Sequence, residues 1–413
     1  MMRSFSCLLI NVLFLTAGLA ARERPETSEA MRWEAARIAA SLDDSTLASQ
    51  VIMSGVDGKS GLDGDMRRIL TDCPPGAIML FKYNLDSPRD KVRGFIDECR
   101  DLVTAAIGRG AAAGSGAADG SGAAAGNSVA IPPFIAADHE GGQVHRFGPG
   151  VGRLPAAASW EERAKAEGSA AALAALETAA YESALEIRGL GLTLVLAPVA
   201  ELLNDDNRIF LEDRSFGADA GFTTAAAAAY IRGMERAGLG CVVKHFPGNT
   251  ATDPHRAVPV LLGSRGELDL AVRPFAALID GAAAHVTGIM VSHALVPAWD
   301  AERIGSLSPA LIGGWLRGEL GFGGIVLADD FSMAASSLAP EEAAVRSLAA
   351  GADMVMAWPS GLRKLHRAIL AALENGTLSR GRLEEAATRI IAEKIRLGLL
   401  RPPGDSVDPQ VEP

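Results

Sequence analysis

Residues 244–259 read KHFPGNTATDPHRAVP and bring Lys244, His245, Asp253 and His255 together around a Pro, a Gly and small polar residues. They follow the apolar stub Gly240-Cys241-Val242-Val243, so these ionisable groups are expected on a loop at the end of a buried strand. Such loops on a rigid scaffold are where chemistry is carried. A His titrates near neutral pH and can give and then take a proton, and a carboxylate beside it can fix its tautomer. Asp329 and Asp330 directly follow GGIVLA. Side chains alternate along a strand, so one carboxylate is expected to face the mouth of a site and the other to point away. Asp329 is the candidate nucleophile or base. Asp330 suits a helix N-cap or a supporting role. A third cluster, DHEGGQVHRF at 138–147, places Asp138, His139, Glu140 and Arg146 after another apolar run. Its two glycines permit a tight backbone close to a ligand, and Asp with Arg suits hydrogen bonding to hydroxyl groups.

Other chemistries lack their spacing. No H-x-x-x-H, H-E-x-x-H or C-x-x-C pattern supports a metal site. No G-x-S-x-G elbow or P-loop occurs. The chain holds 413 residues, 48% of them apolar, with a net charge of −11. That allows a sizeable core and argues against nucleic acid or an anionic membrane as a partner.

The elements that must position these groups alternate in type. Apolar β-rich runs at 76–81, 131–137, 192–197, 240–243, 288–292, 324–328 and 353–357 are separated by Ala-, Glu- and Arg-rich helical stretches such as 159–188 and 219–237. This predicts a parallel sheet covered by helices. Seven visible strands fit either a (β/α)8 TIM barrel with one strand unseen or an open doubly wound sheet. Polar groups recur at the C-terminal ends of many different runs: Asp138, Glu201, Lys244-His245, His293 and Asp329. That layout favours the barrel, whose active site draws on several strand ends. No glycine fingerprint follows Gly76-to-Lys82, as a Rossmann fold would require.

The flanks read differently. Arg3, the apolar run Phe5–Leu15 and Gly18-Leu19-Ala20 predict a secretory signal peptide over 1–20, and hence a periplasmic or secreted protein. The barrel domain is expected over 31–402, with a flexible Gly/Ala/Ser loop at 108–128 inside it and a disordered tail at 403–413. Beyond the leader, Cys73, Cys99 and Cys241 form no disulfide framework, and Cys241 reads as a small buried hydrophobe.

Five ordered segments, DHEGGQVHRF, APVAELLNDDNRIFLEDRSFG, KHFPGNTATDPHRAVP, MVSHALVPAWDAERIGSLSP and VLADDFSM, resemble glycoside hydrolase family 3, in particular its single-domain β-N-acetylglucosaminidase branch. The resemblance runs from Leu42, where SLDDSTLASQVIMSG is similar to the family's opening helix, to Leu400. It implies one TIM-barrel domain without the second α/β domain of larger members. It also implies a retaining exo-β-N-acetylhexosaminidase acting on terminal β-linked N-acetylglucosamine, of which peptidoglycan fragments are one source. Asp329 matches the nucleophile, His255 with Asp253 the general acid/base pair, and Asp138, Arg146, Arg214, Lys244 and His245 the residues that hold the sugar. A carbohydrate substrate and no cofactor are implied. Other family activities, a β-glucosidase or a phosphorylase, and a non-catalytic sugar-binding barrel are the alternatives. The chain departs from the family pattern where KHFPGNT replaces K-H-F-P-G-H-G, where the 248–255 loop is two residues shorter, and where Pro254, Gln143 and Glu201 replace the usual Ser, Arg and Asp.

Overall fold

The computed structural model describes residues 28–113, 129–148, 150–333 and 336–401. The expected signal peptide and tail, and residues 114–128 of the expected loop, lie outside the described residues. The helix Arg89–Ala113 runs through 108–113, so the first part of that loop is helical. Its alanines propagate a helix already nucleated, and its two glycines cost only about 1 kcal/mol each in a helix interior. The first described residue is Ser28. Its hydroxyl caps the helix Glu29–Ser41 by accepting from the Met31 N–H at 3.2 Å.

Eight parallel strands form the core: β1 Ile52–Gly55, β2 Ala77–Met79, β3 Phe134–Ala137, β4 Leu194–Val195, β5 Gly240–Phe246, β6 Gly288–Val291, β7 Ile325–Ala328 and β8 Val355–Ala357. They pair in sequence order, and β1 also pairs with β8. Between β7 and β8 the sheet closes through the Leu327–Met354 bridge, with Ala328 N–H donating to Met354 C=O at 3.0 Å. This is the (β/α)8 TIM barrel. β1, β3, β5, β6 and β7 are buried along their whole length, as expected of strands with barrel core on one side and helices on the other. A fully buried Ile or Leu such as Ile52, Ile78 or Ile135 contributes about 1.5–3 kcal/mol relative to exposure.

The strand missing from the sequence reading is β1. Residues 41–55 read as one opening helix, but they split into the helix Asp44–Gln50 and β1. β1 is short, and Ser54 and Gly55 interrupt its apolar run. The Glu29–Ser41 helix packs on the last helix, Arg380–Arg396, so both ends of the described chain brace the same side of the barrel. Below β8, buried Asp353 accepts from the Val326 N–H at 2.9 Å and pairs with Arg317, Arg382 and Arg389. This charged cluster ties the closing strands together at the end remote from the strand C-termini.

Candidate active site

The candidate residues lie at the C-terminal ends of strands or on the segments that follow them, Arg214 beyond the short helix Arg208–Leu211 that follows β4. β5 shows how. Its ladder with β6 is interrupted between Val243 and Phe246, and the Lys244–His245 and Phe246–Pro247 peptide bonds are cis. Through this interruption Lys244 and His245 both reach the barrel mouth. They belong to the strand itself, not to the loop expected from the sequence. A cavity of about 390 Å³ opens there, lined by Asp138, Arg146, Arg214, Lys244, His245, His255 and Asp329. Asp253 is not part of the lining and acts on the cavity only through His255.

The floor is an ion-pair chain. Asp138 accepts from Lys244 Nζ at 2.7 Å through Oδ1 and from Arg146 through Oδ2, the Nη2 contact being 3.1 Å. Lys244 also reaches Glu140 Oε1 at 2.8 Å, and Arg214 grips the same carboxylate bidentately at 2.7 and 2.9 Å. Strand alternation sends Asp138 and Glu140 inward and His139 outward. There His139 meets Ser183 Oγ at 2.8 Å, and burial with neighbouring His145 pushes it down to about 3. Burial alone would raise Asp138 and Glu140, but the cations beside them, Lys244 foremost, hold both below the ordinary carboxylate range. Burial opposes the charge on Lys244 and Arg214, yet their carboxylate partners raise both. All four therefore remain charged at neutral pH. The glycines Gly141 and Gly142, both at positive φ, serve the 139–145 hairpin rather than a ligand. A Cβ on Gly141 would stand 2.3 Å from Pro155 O, and one on Gly142 2.8 Å from Ala156 Cβ.

Glu201 supports the second wall. Its Oε1 meets His245 Nδ1 at 2.6 Å and accepts from Asn249 Nδ2 at 3.0 Å, while Oε2 takes the Asn249 N–H at 2.6 Å. Asn249, where the family pattern has His, thus pins the start of the shortened loop. Its far end is anchored by Leu295 N–H to Pro259 O at 2.8 Å and Leu261 N–H to Leu295 O at 2.9 Å. Between these anchors the chain turns over Asp253, whose carbonyl accepts from Arg256 and Ala257. Asp253 Oδ1 accepts from both the backbone N–H and the Nδ1 of His255, at 2.9 and 2.8 Å. The His255 N–H is the main reason that Asp253 sits below its ordinary value. His255 remains 64% exposed by side chain, with Nε2 left over for a substrate.

Asp329 follows β7. Its N–H donates to Val291 O at 3.2 Å, and its Oδ1 accepts from the Asp330 N–H at 2.9 Å. No helix begins at Asp330, contrary to the N-cap expectation; the next one starts at Pro340. Asp330 instead closes a short turn onto Ser332 and accepts from Trp358 Nε1 at 2.9 Å. It lines the cavity together with Asp329, because the chain has already left the strand and alternation no longer applies. His293 does not line the cavity. Its Nε2 donates to the Asp330 carbonyl at 3.0 Å, and its ring stacks on Phe331, so it fixes the turn that carries Asp329. Among the described residues, no group of three or more His, Cys, Asp or Glu is placed to hold a metal ion.

The sequence places Glu140, Glu201 and His293 among the polar groups at strand ends without giving any of them a role; their distances show what they support. Phe81, Phe210 and Trp358 also line the cavity and carried no sequence signal beyond residue type, whereas Asn249, which lines it too, shows in the sequence only as a departure from the family pattern.

A barrel with charged groups at several strand ends is shared by many enzymes, and comparison narrows the choice. Residues 115–392 match the model of the glycosyl hydrolase family 3 N terminal domain. A protein of Methylococcus capsulatus named beta-hexosaminidase is 35% identical over 78% of this chain and 86% of its own length. Among solved structures, a glycoside hydrolase family 3 beta-N-acetylglucosaminidase from a Paenibacillus strain matches 89% of this chain and 64% of its own, at 27% identity and a TM-score of 0.74. A beta-N-acetylhexosaminidase from Beutenbergia cavernae matches 86% and 98%, at 25% identity and a TM-score of 0.70. With strand order, motif order and family match in agreement, the chain belongs to glycosyl hydrolase family 3.

Proposed function

We propose that this protein is a retaining exo-acting β-N-acetylhexosaminidase that releases terminal β-linked N-acetylglucosamine. The observation that carries the reading is that the Asp329 carboxylate, the His255–Asp253 pair and the charged floor line or adjoin one cavity. A retaining glycosidase needs a nucleophile on one side of the anomeric carbon and a proton donor on the other. Asp329 attacks the anomeric carbon while His255 Nε2 gives its proton to the departing glycosidic oxygen. The resulting glycosyl ester is then opened by a water whose proton returns to His255, freeing Asp329 and leaving a β-configured sugar. Asp253 holds the ring by its Nδ1 proton. Asp138, Arg146, Lys244, Arg214 and His245 orient the sugar; their mutual ion pairs keep them preorganised, so little reorganisation is needed on binding. His255 adds no negative charge, so an anionic acceptor such as phosphate is the specific competitor to water.

The leader pattern at Arg3–Ala20 supports a periplasmic or secreted location, where peptidoglycan fragments would supply substrate. N-terminal sequencing of protein from its native host should begin near Ala21; an intact Met1 would remove that location. The activity is tested by following N,N′-diacetylchitobiose cleavage by NMR, with and without phosphate. β-N-acetylglucosamine should form first, at a rate phosphate does not change. A sugar phosphate product would make the protein a phosphorylase, and no cleavage of this or an aryl N-acetylglucosaminide would make it a binding protein.

A further inference from the structure

The loop that carries His255 is fastened at both ends to one group of aromatic rings. On the entry side, Phe246 closes β5 and is fully buried. Its ring lies 5.1 Å from that of Trp315, on the helix Ala310–Glu319, and meets Phe275 edge-on at 5.6 Å. On the exit side, Pro259 and Leu261 are tied through Leu295 to the hairpin Leu295–Ile304. Trp299 sits on that hairpin and stacks on Trp315 at 4.6 Å and 9°. Just past the loop, the Arg265 guanidinium lies 3.7 Å over the Trp299 ring, and it is 3.7 Å from Glu319 of the helix that carries Trp315. Trp315 and Trp299 thus join the chain before the loop to the chain after it. Packing alone does not account for Trp299. Its indole N–H is buried with no acceptor among the described residues, a cost that Phe would avoid. Fixing the ends of a loop against one support reduces the conformations open to it. That matters here because a proton donor must come within hydrogen-bond reach of the departing oxygen, and His255 lies between the two fastenings.

We propose that Trp299 is a positioning residue for the acid/base step: through Trp315 and Arg265 it holds the exit of the loop to the same support as its entry, and so keeps His255 over the cavity. This rests on the hexosaminidase reading and deepens it. The test compares kcat/KM for N,N′-diacetylchitobiose, whose alkoxide must be protonated as it leaves, with that for a nitrophenyl N-acetyl-β-glucosaminide, whose anion needs little help. In Trp299→Ala the disaccharide-to-aryl ratio should fall about 10–100-fold, the loss that a displacement of about 1 Å can bring. For the disaccharide the loss should lie in kcat rather than KM, since the proton is given only in the transition state. Trp299→Phe, which keeps a stacked face, should restore most of the ratio. Arg265→Ala should lower it about 2–5-fold, the worth of a cation–π contact at an open site. Arg265 is exposed, so this variant carries the test if Trp299→Ala does not fold. In a His255→Ala background, Trp299→Ala should leave the ratio where His255→Ala put it. An unchanged ratio in both Trp299→Ala and Arg265→Ala overturns the proposal. So does an equal loss on both substrates, which would make Trp299 a support of the fold alone, or an undiminished further loss in the His255→Ala background, which would mean that it acts on another group. Wild-type protein that cleaves neither substrate overturns the hexosaminidase reading instead, and the role of Trp299 with it.

Discussion

Glu140 sits where two cations converge, and neutralising it should be costly in a defined way. Its side chain is 3% exposed and accepts from Arg214 at 2.7 and 2.9 Å, with Lys244 at 2.8 Å. Together with Asp138 and Arg146 the cluster holds three cations and two carboxylates, a net +1; Glu140→Gln makes it +2. The amide also turns one of its two heads into a donor facing Lys244 or Arg214. Removing one partner from a buried pair costs about 3–5 kcal/mol. At about 2 cal/mol/K of unfolding entropy per residue, a chain of 413 residues should then melt about 3–6 °C lower. The loss should also appear in the pH profile. Lys244 is now held above its ordinary 10.5 by Asp138 and Glu140 against the opposing effect of burial. Its contribution to stability is therefore fully present below that value and lost only as pH rises through the raised one. Without Glu140, burial and Arg214 dominate, so both the melting temperature and kcat/KM should decline at lower pH on the alkaline side. Thermal melts and kcat/KM measured from pH 6 to 11 decide the matter. A melting shift under about 1 °C with an unchanged alkaline limb would refute the view that Glu140 holds this cluster together.

His255→Ala should lower kcat/KM for a disaccharide by about 10²–10⁴-fold and for an activated aryl glycoside far less, since only the basic alkoxide needs the proton; equal losses would point to another donor. Lys394 is fully buried with Gln50 Oε1 at 2.9 Å, and burial pushes it down from 10.5 to about 7. The unfolded chain therefore binds more protons between those values and stability should rise with pH across them. Lys394→Met should abolish that rise and add on the order of a few kcal/mol at pH 7, read from urea midpoints at pH 7 and 10. The same slope in wild type and variant would contradict the assignment.

The barrel was legible because parallel strands buried on both faces leave continuous apolar runs, and because their polar ends recur at barrel-like intervals. β1 was not legible: four residues ending in Ser54-Gly55 carry too little period to separate a strand from the helix before it. The charged residues of the site could be named from their places after strands, but how they pair could not. Sequence separates Arg214 from Glu140 and Glu201 from His245 by whole elements; only the lateral pairing of β3, β4 and β5 brings each pair together. Trp358 was silent for the same reason, since an indole at a strand end signals nothing until Phe81 and Asp330 are placed against it.

The central claim is that Asp329 forms a covalent bond to the sugar. It is tested by incubating the wild-type protein with a slow 5-fluoro-N-acetylglucosaminyl fluoride and mapping the adduct by peptide mass spectrometry. The account predicts one glycosyl group per chain, on the peptide containing Asp329, and none in Asp329→Asn. An adduct on another residue, or rapid turnover in Asp329→Asn, would contradict it.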